Sequence, residues 1–238
     1  MKNKLIIFFL IYFFPIHLIA ENLLIQSKNI SLDKKKEISI FKDQVLVKTK
    51  DGDTIISEYA EYNKKTGLII LKKDIKFTDV KNNTVTTEYA EYNENEKIFK
   101  SKGDTKIETS ENYTVNGKDI IFDNKLKFIQ SNQEAFITDK DNNRIYLENF
   151  EYLISKKIFK SVGYIEINDE LNNSYKFSQL YIDTAKKEIL GTDMQAFLNS
   201  EDFKISEKNK PRILANNFNI NKNKKIFNKR IFTYCNYR

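Results

Sequence analysis

Carboxylates come in pairs at two places in this chain, Glu58 with Glu61 and Glu88 with Glu91. Two acids so arranged suggest glycoside hydrolysis, where one protonates the leaving group and the other supplies the nucleophile or base. The two pairs stand 30 residues apart in near-identical surroundings, however. They recur because the sequence recurs, and solvated strand-face residues account for them better than a dyad. Asp139, Asp141 and Asn143 imitate the start of a calcium loop. The sixth position is Arg144 where glycine is needed and the twelfth is Phe150 where glutamate is needed, so a turn is the better reading. The single histidine, His17, falls in an apolar leader, which leaves the rest of the chain without a His base or a zinc-ligand set. Cys235 is the only cysteine, so no internal disulfide can form; in an oxidising compartment such a thiol points to an intermolecular bond. The expectation is a non-enzymatic protein with no catalytic residue, metal or cofactor.

What would position any site is a repeat. Tyr59-Ala60-Glu61-Tyr62 returns as Tyr89-Ala90-Glu91-Tyr92, and steps of 30 residues keep six apolar columns in phase. Three lie in the first half of the unit: Ile25, Ile55, Val85, Val115, Ile145 and Tyr175; Ile30, Ala60, Ala90, Ile120, Phe150 and Leu180; Leu32, Tyr62, Tyr92, Phe122, Tyr152 and Ile182. Three lie in the second: Ile38, Leu68, Ile98, Phe128 and Ile158; Val45, Ile75, Thr105, Ala135 and Ile165; Val47, Phe77, Ile107, Ile137 and Ile167. In the sixth unit this half slips by one residue, to Ile189, Ala196 and Leu198.

Two series of turns keep the same period. One opens at Asp33, Asn63, Asn93, Asp123 and Asp183, with Leu153 the exception. The other runs through Asp51-Gly52, Asn82-Asn83, Glu111-Asn112, Asn142-Asn143 and Asn172-Asn173. Asn, Asp and Gly tolerate the positive φ that tight hairpins need. Apolar residues alternate with polar ones at period two, which argues for strands with one buried face and against helices. The parity changes between Ile55 and Ala60 and at the same place in each unit, which predicts a β-bulge in every first strand. The fold class predicted is all-β: an antiparallel, taco-like β-jelly roll of about six 30-residue, two-strand repeats.

The repeats extend over 21–200. A polar connection at 201–211 follows, then a last strand pair within 212–232 (213–220 and 225–232) and a tail at 233–238. Residues 1–20 read as a secretory signal peptide: Lys2 and Lys4, an apolar run over 5–14, and Ala20 at the cleavage point. A retained anchor is the alternative; without a cysteine there, lipid attachment is excluded. The formal charge of +7 carries little weight in a chain rich in lysine throughout. Tyrosines among lysines suggest nucleic-acid stacking, but these tyrosines fall in the apolar columns, which argues against a nucleic-acid partner. The columns form either a closed core or, if the folded sheet stays open, an apolar trough suited to acyl chains. Pattern alone leaves both open.

The Tyr-Ala-Glu-Tyr-Asn turn, apolar strand and short polar loop, taken as a series over about residues 23–232, resemble the OstA-like family of lipopolysaccharide transport proteins. The resemblance implies a β-jelly roll whose interior holds lipid A acyl chains, a periplasmic location at the outer membrane, and neighbouring jelly-roll domains joined by edge-strand addition. It places the trough at Ile55, Tyr62, Ile75, Phe77, Val85, Tyr92, Val115, Phe122, Phe128, Ile137, Phe150 and Tyr152. Phe232-Thr233-Tyr234-Cys235 is similar to the junction at which the family's outer-membrane members pass from jelly roll to β-barrel. That likeness implies a disulfide from Cys235 to the barrel. The sequence departs from the pattern in lacking a barrel after Arg238 and a cysteine near the mature N-terminus. The preferred expectation is therefore such a periplasmic domain without its barrel, ahead of a free-standing bridge protein or a structural β-repeat protein with a closed core.

Overall fold

The computed structural model describes residues 23–200, 211–221 and 224–233, and every regular element in them is a β-strand. The expected signal peptide, most of the polar connection (201–210) and Cys235 lie outside the described residues. All nineteen strands belong to one antiparallel sheet. They are β1 (Leu23–Gln26), β2 (Asn29–Asp33), β3 (Ile38–Thr49), β4 (Thr54–Asn63), β5 (Leu68–Thr78), β6 (Thr84–Asn93), β7 (Ile98–Ser101), β8 (Asp104–Glu108), β9 (Thr114–Lys118), β10 (Ile121–Asp123), β11 (Phe128–Ser131), β12 (Ala135–Thr138), β13 (Arg144–Leu147), β14 (Phe150–Leu153), β15 (Ile158–Asn168), β16 (Ser174–Asp183), β17 (Glu188–Phe197), β18 (Arg212–Asn221) and β19 (Lys224–Thr233).

The short strands are halves of longer rungs. β6 pairs with both β7 and β8, and β15 with both β13 and β14, so each such pair continues one rung across a break. The chain is thus a meander of two-part rungs, each creased near its middle, and the crease folds the sheet upon itself. The two rows of hairpin turns become the two lips of the fold. We call the half of each rung that ends at residues 50–53, 79–83, 109–113, 139–143 and 169–173 the upper half, and the other the lower.

Backbone conformation repeats with the sequence. Left-handed φ recurs at Glu37, Gly67, Lys97, Lys127, Lys157 and Lys187 on the lower lip, and at Gly52, Asn82, Asn112, Asn142 and Asn172 on the upper. A third series, at Asp43, Lys73, Gly103, Gly163 and Asp193, marks the crease. The turn side chains hold these conformations. On the lower lip Asp33, Asn63 and Asn93 each accept two backbone N–H bonds at 3.0–3.2 Å. On the upper lip Asp79, Asp139 and Asp169 each accept from the backbone and side-chain amides of the asparagine four residues on, at 2.7–2.9 Å.

Three details differ from the sequence expectation. The parity change does fall in β4, where Ile55 and Ser57, then Ala60 and Tyr62, face inward. The ladder's extra residue, however, sits in the second strand of the unit, at Asp43–Gln44 of β3, Lys73–Asp74 of β5 and Gly163–Tyr164 of β15. One apolar column is out by a residue. Ile69, Phe99, Ile129, Phe159 and Ile189 face inward, without a slip, and Leu68, Ile98, Phe128 and Ile158 lie on the opposite face. In the upper half of β17 the shift runs the other way, because Met194 continues the Ile165 column and Ala196 the Ile167 column.

The crease carries a feature that apolar periodicity hides. Buried hydroxyls stand there at the same period, Ser101, Ser131 and Ser161 on one side and Ser57 and Thr87 on the other. Where the ladder breaks, they take over its hydrogen bonds. Ser131 Oγ donates to the Lys118 carbonyl at 2.6 Å, and Ser161 Oγ to the Asn149 carbonyl at 2.7 Å. Ser101 Oγ accepts from the Ile120 amide at 2.9 Å. A buried carbonyl left without a partner would cost about 1–3 kcal/mol, so small hydroxyl residues suit this line.

Candidate functional site: the inner face

The inward columns form one apolar surface along the whole fold, and it changes character on the way. In the first rungs the halves meet. Val45, Val47, Ile55, Ile69 and Leu71 are fully buried, and Phe77 of the upper half lies 5.4 Å from Phe99 and 5.9 Å from Phe122 of the lower half. From Val115 onward the side chains beside the crease stay buried, among them Ala135, Leu147, Ile165 and Leu180. Those nearer the lips become half-exposed: Val115, Phe122, Ile129, Ile137, Ile145, Tyr152, Phe159, Ile167, Tyr175, Ile182 and Ile189. The inner face is packed shut at its N-terminal end and more loosely covered toward the lips after it.

The expected trough residues divide accordingly. Tyr62, Val115, Phe122, Ile137 and Tyr152 are half-exposed and face inward; Ile55, Ile75, Phe77, Val85, Tyr92 and Phe150 are buried core. Phe128 is on the other face of the sheet, and Ile129 occupies its place. Inner residues that the sequence reading left out of the site are Ile145, Phe159, Ile167, Tyr175, Ile182 and Ile189. At the first rung, Ile30 (64% exposed) and Leu32 (59%) belong to inward columns but have no neighbouring rung on their outer side among the described residues. The paired glutamates stand apart from all this. Glu61 accepts a 2.5 Å bond from the Tyr59 hydroxyl and lies 3.6 Å from Lys72, and Glu91 accepts from Tyr89 at 3.2 Å. Burial and the Glu61 bond push the Tyr59 hydroxyl up to about 12.

Polar contacts between the lips hold the closed end shut. Lys97 of the lower lip pairs with Asp51 of the upper. Asn124 Nδ2 donates to Asp53 Oδ2 at 3.0 Å. The two aspartates differ: the Lys97 hydrogen bond lowers the Asp51 carboxyl, whereas burial, then the nearby charges of Asp79 and Asp51, raise that of Asp53. A carboxyl whose folded pKa is raised binds its proton more tightly in the folded state. Its ionised form therefore works against the fold at pH 7, and this penalty disappears as pH falls through the folded pKa. Asp53→Asn keeps a carbonyl acceptor for Asn124 while removing the charge. It is expected to stabilise the protein modestly at pH 7, with the difference shrinking toward pH 4. Urea unfolding at the two pH values checks this, and a loss of stability at pH 7 would contradict it.

Among the described residues no group of three His, Cys, Asp or Glu could hold a metal ion, and no helix is long and apolar enough to cross a membrane. No protein-family model matches the chain, and no curated protein matches it. Among solved structures it is similar to LptH of Pseudomonas aeruginosa, the LptA-homologous periplasmic component of the lipopolysaccharide transport device. Identity is 9%, the match covers 70% of this chain and 79% of that one, and the TM-score is 0.20.

Proposed function

We propose that this protein is a non-enzymatic carrier of lipopolysaccharide in the periplasm, holding lipid A acyl chains in the open part of the folded sheet. The observation that carries the reading is the run of inner side chains from Val115 to Ile189, a continuous apolar lining that stays partly exposed among the described residues. An exposed apolar surface of this extent in a folded protein is the mark of a ligand or partner site. The family resemblance supplies the identity of the ligand. Transfer would proceed along a series of similar sites, with energy supplied elsewhere.

The resemblance at Phe232-Thr233-Tyr234-Cys235 favours the periplasmic domain of the outer-membrane assembly protein LptD, with a barrel as partner through Cys235, over a free-standing LptA-like bridge. Neighbouring jelly-roll domains would add at the sheet edges. Among the described residues β19 is unpaired on its outer side, and the first rung, β1 with β2, pairs only with β3. The exposed Ile30 and Leu32 would then pack against the apolar inner face of the next domain.

A photo-crosslinking residue tests the reading in cells that make lipopolysaccharide. Placed at Tyr152, beyond the closed end, it is expected to give a lipopolysaccharide adduct. Placed at Tyr92, in the closed core, it is expected to give none. No adduct at Tyr152 would leave the inner face a structural core and favour a β-repeat interaction protein.

A further inference from the structure

On the outer face of the sheet, beside the crease, two rows of side chains flank a channel of about 410 Å³. Strand register sets both rows. Gln179 of β16 stands opposite Thr192 of β17, then Asn217 of β18 and Asn228 of β19. Tyr181, Leu190 and Asn219 form the other row. Between the rows the floor is backbone, with Gly191 and Phe218 at its centre. The channel crosses β15 to β19, strands about 5 Å apart, and is therefore about 20 Å long.

Two polar atoms in its walls are buried without a hydrogen-bond partner, Thr192 Oγ1 on one side and Asn219 Oδ1 on the other. No other side-chain atom among the described residues is in that position. Asn219 Nδ2 donates to Glu188 Oε1 at 3.4 Å, which sets the amide with its oxygen unpaired. A buried polar atom without a partner destabilises a fold, and here it points to a bond supplied from outside the chain. Gln179, Asn217 and Asn228 add three carboxamides that make no side-chain hydrogen bond among the described residues. Charge is almost absent from the lining. Its ionisable groups are Lys160, which lies 3.5 Å from Glu151, and the Tyr181 hydroxyl. A second channel, across β5, β6, β8, β9 and β12, gives the contrast. It carries both signs of charge, from Asp74 and Lys76 to Lys118 and Glu134, as a solvated strand face does.

We propose that the uncharged channel binds a neutral, hydroxyl-rich chain, a linear oligosaccharide lying across the strands. A sugar hydroxyl both donates and accepts, so it serves the Thr192 hydroxyl, the Asn219 oxygen and either end of a carboxamide. Leu190 and Val162, the latter 58% exposed, give the ring C–H faces an apolar surface. The strand spacing is close to the length of one pyranose unit, so successive rings meet successive strands. A polypeptide would instead pair its backbone at a sheet edge. The channel is on the opposite face of the sheet from the inner columns, and the proposal does not depend on the trough reading.

Calorimetric titration with hexasaccharides tests it. At least one of cellohexaose, maltohexaose and chitohexaose is expected to bind with a Kd of about 1 mM or tighter. Anionic hexagalacturonate and the cationic glucosamine hexamer should bind at least about tenfold more weakly, since their charges would lose water against uncharged amides. Thr192→Val and Asn219→Leu each remove one unpaired atom, and each should weaken the sugar by about tenfold or more. Thr192→Val should also raise the thermal midpoint of the free protein. Binding of the apolar fluorophore N-phenyl-1-naphthylamine at the inner face should be the same in both variants, which shows that the fold is intact. No binding of any neutral hexasaccharide at about 10 mM, equal binding of the charged ones, or unchanged affinity in both variants overturns the proposal. A lowered midpoint for Thr192→Val does so too, because the hydroxyl would then be satisfied within the free protein. A glycine–serine peptide of similar length that binds as tightly would assign the channel to polypeptide instead.

Discussion

Phe99→Ala is expected to cost about 3–5 kcal/mol of stability, whereas Phe159→Ala, in the same inner column two units later, costs about 1–2 kcal/mol. The residue deleted is the same and the local strand pairing is equivalent, since Phe99 faces Tyr92 and Phe122 across its rung as Phe159 faces Tyr152 and Ile182. The difference lies in what covers the ring. Phe99 is 1% exposed and lies against Phe77 from the opposite half, so truncation leaves a cavity between two packed sheet layers that cannot collapse without moving both. Phe159 stacks on Phe150 at 6.3 Å and opens to solvent on its other side, so water fills the gap and part of the transfer energy was never gained. Urea unfolding midpoints of the two variants measure the contrast directly. Equal costs would mean that the fold does not pass from closed to open along its length.

That passage was the part of the architecture the sequence could not disclose. The same residue types, Ile, Val, Phe and Tyr, line both regions; what separates them is how far the facing half covers them, as Phe77 covers Phe99. The strands, the two turn series and, up to the sixth unit, five of the six columns were legible because Asp and Asn mark the turns and period two marks the faces. The sixth column was misplaced for a local reason. Each lower-lip turn ends in a left-handed residue and is followed by two apolar residues, Leu68-Ile69, Ile98-Phe99, Phe128-Ile129 or Ile158-Phe159, so periodicity alone cannot choose which one faces inward. The bulge was legible as a change of parity. Its extra residue was assigned to the wrong strand because Asp43, Gln44, Lys73 and Asp74 adopt left-handed φ without the glycine that would have advertised it.

A single carboxylate in β13 should distinguish core from trough most sharply. Leu147→Asp is expected to unfold the protein, while Ile145→Asp, two residues away on the same face, leaves it folded and reduces N-phenyl-1-naphthylamine binding on the order of 100-fold. Leu147 is fully buried at the crease, paired with Ala135 and Ile165, which are themselves fully buried and offer a carboxylate neither water nor a donor. An unpaired buried charge there exceeds what a domain of ordinary stability tolerates. Ile145 pairs with Ile137 and Ile167, and all three are half-exposed at the mouth. An aspartate at that position keeps its hydration through the open side, so the free protein loses little. A hydrocarbon ligand laid across the three residues must strip that water away, and the cost falls on binding alone. Unaltered binding by a folded Ile145→Asp variant would show that apolar ligands do not use this face. Loss of folding in both variants would show that the mouth is closed at β13, as it is at Phe77.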